Sequence, residues 1–327
     1  MRTRLRWLHR VFAAALACAA ALAQAQAFPT KPVKLVIPYP AGGLTDVIGR
    51  AAATEVAKIW GQPLLVENRP GGNQIIASEF VVRSPADGYT ILMCDVSALA
   101  IVPVLYASKL TYDPYKDFAA VLNLVKTPDV LVAHPSFPAN TVQELIKLAK
   151  EKPNEITYGT FGLGSLTHVD TEAFSAQTGI SLRHIPYKGI AEVLPAVASG
   201  QIQIAFSGMP PLLPLLKQGR IKVLGVASAQ RSPILPDVPT FAEAGVAGFV
   251  SDAWFGLVAP AATPRPIIDK IAADLGRVIA EPSFNEKYIS GVGMELMNQP
   301  PDKFMEVIRN DQRVYAARVK ALNLKLE

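Results

Sequence analysis

Short unbroken apolar runs, each closed by glycine or proline and followed by a segment of helical periodicity, recur along this chain of 327 residues. That rhythm restricts the fold more than any other feature. A run without polar alternation has to be covered on both faces, and the helices that follow each run supply the cover. Strands are predicted over 33–38, 64–67, 90–94, 130–133, 156–158, 182–185, 202–206, 223–227 and 256–259. The fold class that follows is α/β, with mixed, mainly parallel sheets flanked by helices.

The intervening segments carry helix signals of their own. A helix from about Val47 to Trp60, which Gly61 would stop, is expected to bury Val47, Ile48, Ala51, Val56 and Ile59. Thr141-Val142-Gln143-Glu144 and Thr240-Phe241-Ala242-Glu243 both have the form of a capping box, so a helix is expected after each. The apolar spacing of Ile267, Ile271, Leu275 and Val278, and of Phe304, Ile308, Tyr315 and Val319, predicts two packing helices near the end.

The first residues bear on compartment. Arg2, Arg4, Arg6 and Arg10 precede an apolar run from Val11 to Leu22, and Ala23-Gln24-Ala25-Gln26-Ala27 offers overlapping A-x-A cleavage sites. Residues 1–25 therefore read as an export signal, with cleavage after 27 as the other choice, and the run is shorter than a membrane span of about 20 residues. The chain holds 32 Lys and Arg against 27 Asp and Glu, and the four leader arginines make up most of the excess. Without them the balance is near neutral, which gives no case for nucleic acid. Of two cysteines only Cys94 would remain, inside the apolar run Ile91-Leu92-Met93-Cys94, so it reads as a core thiol without a disulfide partner. Roughly 300 residues exceed what a single core organises, so two lobes are expected, with no low-complexity linker between them.

In open α/β sheets a ligand sits beyond the carboxyl ends of the strands, where loops enter helix N-termini. Five such loops stand out: Tyr39 to Asp46, with Ala41, Gly42, Gly43 and Thr45; Gly71-Gly72-Asn73-Gln74; Thr160 to Ser165, with Gly162, Leu163 and Gly164; Tyr187-Lys188-Gly189; and Ser207-Gly208-Met209. Glycine admits close backbone approach and a helix start offers free N–H groups, so these loops suit an anion. None ends in Gly-Lys-Ser/Thr, has dinucleotide glycine spacing or forms a G-x-S-x-G elbow. His168 and Glu172 lie one helical turn apart without a third ligand at motif spacing, so no metal is expected, nor any cofactor. Asp46 lacks a neighbouring histidine and reads as a first-turn carboxylate that orients loop N–H groups or a bridging water; Lys188 is either a solvated turn residue or a cation of the cleft.

The stretch Lys34 to Asp46 resembles the first signature of the Bug-type substrate-binding receptors of tripartite tricarboxylate transporters. The likeness continues through Val66-Glu67-Asn68-Arg69-Pro70-Gly71, Asp87-Gly88-Tyr89-Thr90, Tyr112 to Phe118, Pro186-Tyr187-Lys188-Gly189, Arg231-Ser232-Pro233, Leu235 to Thr240 and Ala259-Pro260. The resemblance implies a two-lobed periplasmic binding protein fold of type II character, with residues 28–124 and 256–327 in one lobe and 125–255 in the other. It implies a non-enzymatic, monomeric, periplasmic receptor that closes on a small organic carboxylate and delivers it to membrane permease subunits. The family's ligand loops map onto Tyr39, Ala41 to Asp46 and Gly72 to Gln74, with Gly162 to Ser165 and His168 from the second lobe. Departures are Ser207-Gly208 where the family often has Asp-Asn, Leu163 where it has Asn, and Gln74 where it has Gly. With no acid at Ser207 an amino-acid ligand is disfavoured, and Leu163 and Met209 suit a more apolar aliphatic or aromatic acid. The alternatives are a receptor serving a sensor kinase and, further off, a secreted α/β hydrolase using His168 or Asp46.

Overall fold

The computed structural model describes residues 28–324; the export leader read from the sequence lies outside the described residues. In chain order the elements are β1 (Val33–Ile37), α1 (Leu44–Trp60), β2 (Leu64–Asn68), α2 (Ile75–Val82), β3 (Thr90–Asp95), α3 (Val102–Leu105) and β4 (Phe118–Ala133). There follow α4 (Val142–Glu151), β5 (Thr157–Thr160), α5 (Leu166–Thr178), β6 (Arg183–Pro186), α6 (Ile190–Ala198), β7 (Ile204–Gly208), α7 (Met209–Lys217) and β8 (Lys222–Val226). The chain ends with β9 (Asp252–Pro260), α8 (Arg265–Ala280), α9 (Pro282–Tyr288), β10 (Glu295–Gln299) and α10 (Pro301–Leu322).

The strands run in the order β2-β1-β3-β9-β4-β7-β5-β6, with β8 and β10 added on β4. Pairing is parallel among β2, β1 and β3 and among β7, β5 and β6, as crossover helices require. It is antiparallel in the middle, where two long strands pass each other. Residues 118–128 of β4 pair with β9, and residues 129–133 pair with β7 and β8. The chain thus crosses from one α/β layer to the other along β4 and returns along β9. Sequence pattern predicts only 130–133 of this strand, because Asn123, Lys126, Thr127 and Pro128 interrupt the apolar run ahead of it. Pro128, which has no N–H to give, lies opposite Asp252 at the crossing.

Other expectations change too: on α1, Val47 and Ile59 are exposed instead of buried. Thr240 and Glu243 make both bonds of a capping box (Glu243 N–H to Thr240 Oγ1 at 3.1 Å, Thr240 N–H to Glu243 at 2.8 Å), yet the segment is a turn. Gly245, at φ +82°, ends it before a helix can propagate. The strand β10 has no apolar alternation to announce it; it forms as an edge on β4.

The core follows the two layers. Val33, Leu35, Ile91, Val258, Ile271 and Phe304 belong to one buried cluster. Tyr158, Phe174, Phe206, Phe241 and Phe249 belong to a second, and Val130, Val193, Met209 and Val226 to a third. The C-terminal helix α10 packs on β4 and also reaches α5. Cys94 is fully buried and burial pushes its thiol well above the ordinary value, as a core thiol requires.

Candidate ligand-binding cleft

The loop after β1 is shaped by one carboxylate. Asp46, in the first turn of α1, accepts hydrogen bonds from the Gly42 N–H (3.0 Å), the Arg50 guanidinium (3.0 Å) and the Asn68 amide (3.0 Å). Burial by itself would raise its pKa; the bonds from Arg50, Gly42 and Asn68 outweigh that and hold it below the usual range. Asn68 also donates to the Tyr39 carbonyl (3.0 Å), tying β2 to the same loop. The N-cap of α1 is Gly43, which offers no side-chain cap, so the first-turn N–H groups of Leu44 and Thr45 take no partner among the described residues.

Behind the loop lies a buried polar triad. The Tyr39 hydroxyl donates to Asp95, and the Gln74 amide donates to the Tyr39 hydroxyl (2.9 Å) and to Asp95 (2.6 Å). Asp95 also accepts from the Ser97 N–H (2.8 Å). Burial raises the Asp95 pKa against these donors. Asn73 and Gln74 both hold positive φ, +48° and +73°. Glycine would adopt that conformation freely; this chain accepts local strain of about 1 kcal/mol to place a buried amide there.

In the second layer, Ser165 caps α5 by accepting from the His168 N–H, and His168 Nδ1 accepts from the Gly164 N–H (3.1 Å). The His168 ring stacks on His184 at 4.3 Å between centroids, and burial lowers both imidazoles to about 4, so both are neutral near pH 7. Thr160 Oγ1 lies 2.6 Å from the His184 ring and steadies Gly162 from both sides. Gly162 sits at φ +120°, a conformation that only glycine adopts freely. The Ser207 hydroxyl donates to the Gly208 carbonyl (2.8 Å), and the Met209 N–H donates to Thr127 (3.2 Å).

Two cavities lie between the layers on the side of these loops. The inner one, about 50 Å³, is bordered by Tyr39, Gly43, Leu44 and Thr45 from the first layer, and by Phe161, Ile190, Ala191 and Gly208 from the second. The outer one, about 240 Å³, is bordered by Tyr39, Gly72, Asn73 and Gln74 on one side and Gly162, Leu163, Tyr187 and Lys188 on the other. Of the sequence-derived candidates, Ala41, Gly42, Asp46, Thr160, Gly164, Ser165, His168, Ser207 and Met209 border neither cavity. Most of these shape loops that do, and Met209, the first residue of α7, is wholly buried in the core. The layers touch across the cavities: the Tyr106 hydroxyl donates to the Leu163 carbonyl (2.9 Å), and the Leu166 N–H to Ser97 (3.1 Å).

Residues 48–324 match the protein family described as the tripartite tricarboxylate transporter family receptor. The chain belongs to this receptor family. It is 30% identical to BugT of Bordetella pertussis over 325 residues, covering 99% of each chain. Among solved structures, Rpa4515 of R. palustris with adipate superposes with a TM-score of 0.88 at 32% identity, covering 91% of this chain and 99% of that one. The periplasmic binding protein BugD superposes at 0.86 with 29% identity, covering 92% and 100%. The fold is accordingly the two-lobed one of periplasmic binding proteins, and the two layers are its lobes. No helix among the described residues is long and apolar enough to cross a membrane.

Sequence reasoning misses part of the inner cavity's lining. Asp95, Thr127, Asp129 and Phe255 border the inner cavity. Asp95 closes a strand, and the rule that ligands lie at strand ends would have found it. Asp129 carries no such signal, because it lies inside β4 and reaches the cavity only through the lobe crossing.

Proposed function

We propose that this receptor is an exported, monomeric and non-catalytic protein of the periplasm. It takes a small organic carboxylate between its lobes and presents it to membrane permease subunits. One observation carries the reading. The N-termini of α1 and α6, one from each lobe, open on the same inner cavity, and their N-caps Gly43 and Gly189 make no side-chain cap bond. Backbone N–H groups at two helix starts hold negative charge without a cationic side chain, and they do so together only when the lobes are closed. Adipate bound to Rpa4515 supports the carboxylate class.

The residues a hydrolase would use are committed elsewhere: Asp46 to three donors of its own loop, and His168 to Gly164 and His184. In this reading residues 28–124 with 256 onward move as one lobe and 125–255 as the other. They turn a few residues inside those bounds, about Thr127–Asp129 and Ser251–Asp252, where β4 changes partners. The ligand stabilises the closed state by the difference in its affinity for the two states.

The test is a thermal-shift screen of mono- and dicarboxylates followed by titration calorimetry. At 100 times the dissociation constant the cognate acid adds about 2.7 kcal/mol of stability. A screen in which no carboxylate shifts the melting temperature, or in which the bound acid is turned over, overturns the reading.

A further inference from the structure

A chain of buried groups runs from the inner cavity into the hinge. Ser251 Oγ lies 2.7 Å from Asp129 Oδ2 and 2.6 Å from Asp170 Oδ2. A hydroxyl has one proton to donate, so two hydrogen bonds of this length to two carboxyl groups require a proton on one of them. Arg318, from α10, contacts Asp170, with the Tyr315 hydroxyl 3.5 Å away, so the negative charge is held on Asp170. The order is then Asp129 Oδ2–H to Ser251, Ser251 Oγ–H to Asp170, and Asp170 to Arg318. Asp129 is 2% exposed, and its Oδ1 takes no hydrogen bond from any described residue while the residue borders the inner cavity.

We propose that Asp129 is a specificity-determining residue: uncharged, it turns a bare carbonyl-type oxygen to the inner cavity and accepts a hydrogen bond from a hydroxyl of the ligand. This deepens the carboxylate reading and rests on it. A ligand whose carboxylate occupies the N-termini of α1 and α6 meets no repulsion from Asp129 and gains one acceptor, which favours hydroxy acids over unsubstituted acids. Amino acids gain nothing special from a neutral partner, so an acid in the cavity does not by itself select an ammonium group. The groups facing Asp129 agree on its protonation. Burial, Asp170 on α5, Asp252 on β9 and Asp95 at the end of β3 raise it to about 8, against the Ser251 bond. Tyr39 and Tyr315 complete the surroundings as neutral phenols, each pushed well above the ordinary value by burial and neighbouring acids. Lys126, paired with Glu295, acts on Asp252.

The test compares matched triples that differ in one substituent, malate–succinate–aspartate and lactate–propionate–alanine, by calorimetry on the intact protein from pH 6 to pH 9.5. At pH 6.5 the hydroxy acid of the bound triple should exceed its unsubstituted partner by about five- to tenfold, the worth of one hydrogen bond. Its affinity should fall by about tenfold above pH 8, as Asp129 becomes an anion beside the ligand. Asp129→Leu should erase the hydroxyl preference. Asp129→Asn presents the same donor to Ser251 and the same acceptor to the cavity, so it should restore the preference and remove the pH dependence. A preference for the amino acid, a flat wild-type pH profile, or loss of the hydroxyl preference in Asp129→Asn overturns the role of Asp129 and leaves carboxylate capture standing. A wild type that binds none of the six acids overturns both.

Discussion

Asp46, Gln74 and Asp129 are buried polar residues that border the inter-lobe cavities or shape the loops that do. Asp46 spends its carboxylate on Gly42, Arg50 and Asn68, so it fixes the curvature that leaves Leu44 and Thr45 free to donate. Asp46→Ala strands those donors, and we expect a loss of about 1–3 kcal/mol in chemical denaturation together with weaker carboxylate binding. An unchanged dissociation constant would separate the loop from the ligand. Among the groups that make stability depend on pH, the pair His168 and His184 acts in the opposite direction to Asp129. His168 and His184 have folded-state pKa values near 4, below their unfolded value of 6.5, so the stability they contribute is complete above pH 6.5 and lost as pH falls toward 4. Asp129 works in the other direction. Its folded pKa is raised from 3.8 to about 8, so the folded state keeps a proton the unfolded state gives up, and stability declines as pH rises between those values. Melting curves should therefore show Asp129→Asn gaining on the wild type at pH 8 and losing that gain at pH 4.

At the level of elements, side-chain capping differs from one helix start to the next: α8 and α10 are uncapped away from the cavities, and the capped α5 still brings Leu166 to the inner one. Thr141 and Ser165 cap α4 and α5 with their hydroxyls, whereas Gly43 and Gly189 leave α1 and α6 open. Thr141→Ala should cost about 1 kcal/mol of stability without altering ligand affinity, as calorimetry beside denaturant melts would show. The capping box at Thr240–Glu243 is complete and still starts no helix, because a cap supplies about 1 kcal/mol and cannot carry a chain past Gly245. Packing sets the other limit. A Cβ at Gly256 would lie 2.2 Å from the Phe304 ring, so β9 and α10 can approach only because that residue is glycine. Gly256→Ala should lower stability by about 1–3 kcal/mol or more, read as a fall in melting temperature.

Across the whole molecule the lobes meet through side chains and backbone together: the Tyr39 and Phe161 rings lie 6.4 Å apart between centroids, and the Tyr106 hydroxyl donates to the Leu163 carbonyl. A Cβ at Gly189 would stand 3.2 Å from Pro40 Cδ in the opposite lobe, although Gly189 itself has extended backbone that other residues adopt. A larger residue there should wedge the cleft without straining either lobe. We expect Gly189→Val to keep the wild-type melting temperature in the absence of ligand, to bind carboxylates at least about tenfold more weakly, and to lose the ligand-induced compaction seen by small-angle X-ray scattering. Compaction of wild-type magnitude in this variant would place the closing contact elsewhere.

The alternation of buried strands and glycine-led helices was legible because it depends on neighbours in sequence. Apolar runs, caps and turn residues act within a few positions, so the α/β class, most strands and the glycine loops could be read directly. The loops were legible as anion cradles for the same reason, since free N–H groups belong to any uncapped helix start. The first half of β4 and the edge strand β10 were not legible, since their pairing with β9 and β4 comes from residues more than a hundred positions away. The same holds for the cleft floor. Nothing local in Thr127-Pro128-Asp129 marks a ligand contact, and Ser251, Asp170 and Arg318 reach it from three distant segments. Sequence alone determined which backbone could hold an anion; only the crossing of two strands between lobes decided which side chain, in which protonation state, stands opposite it.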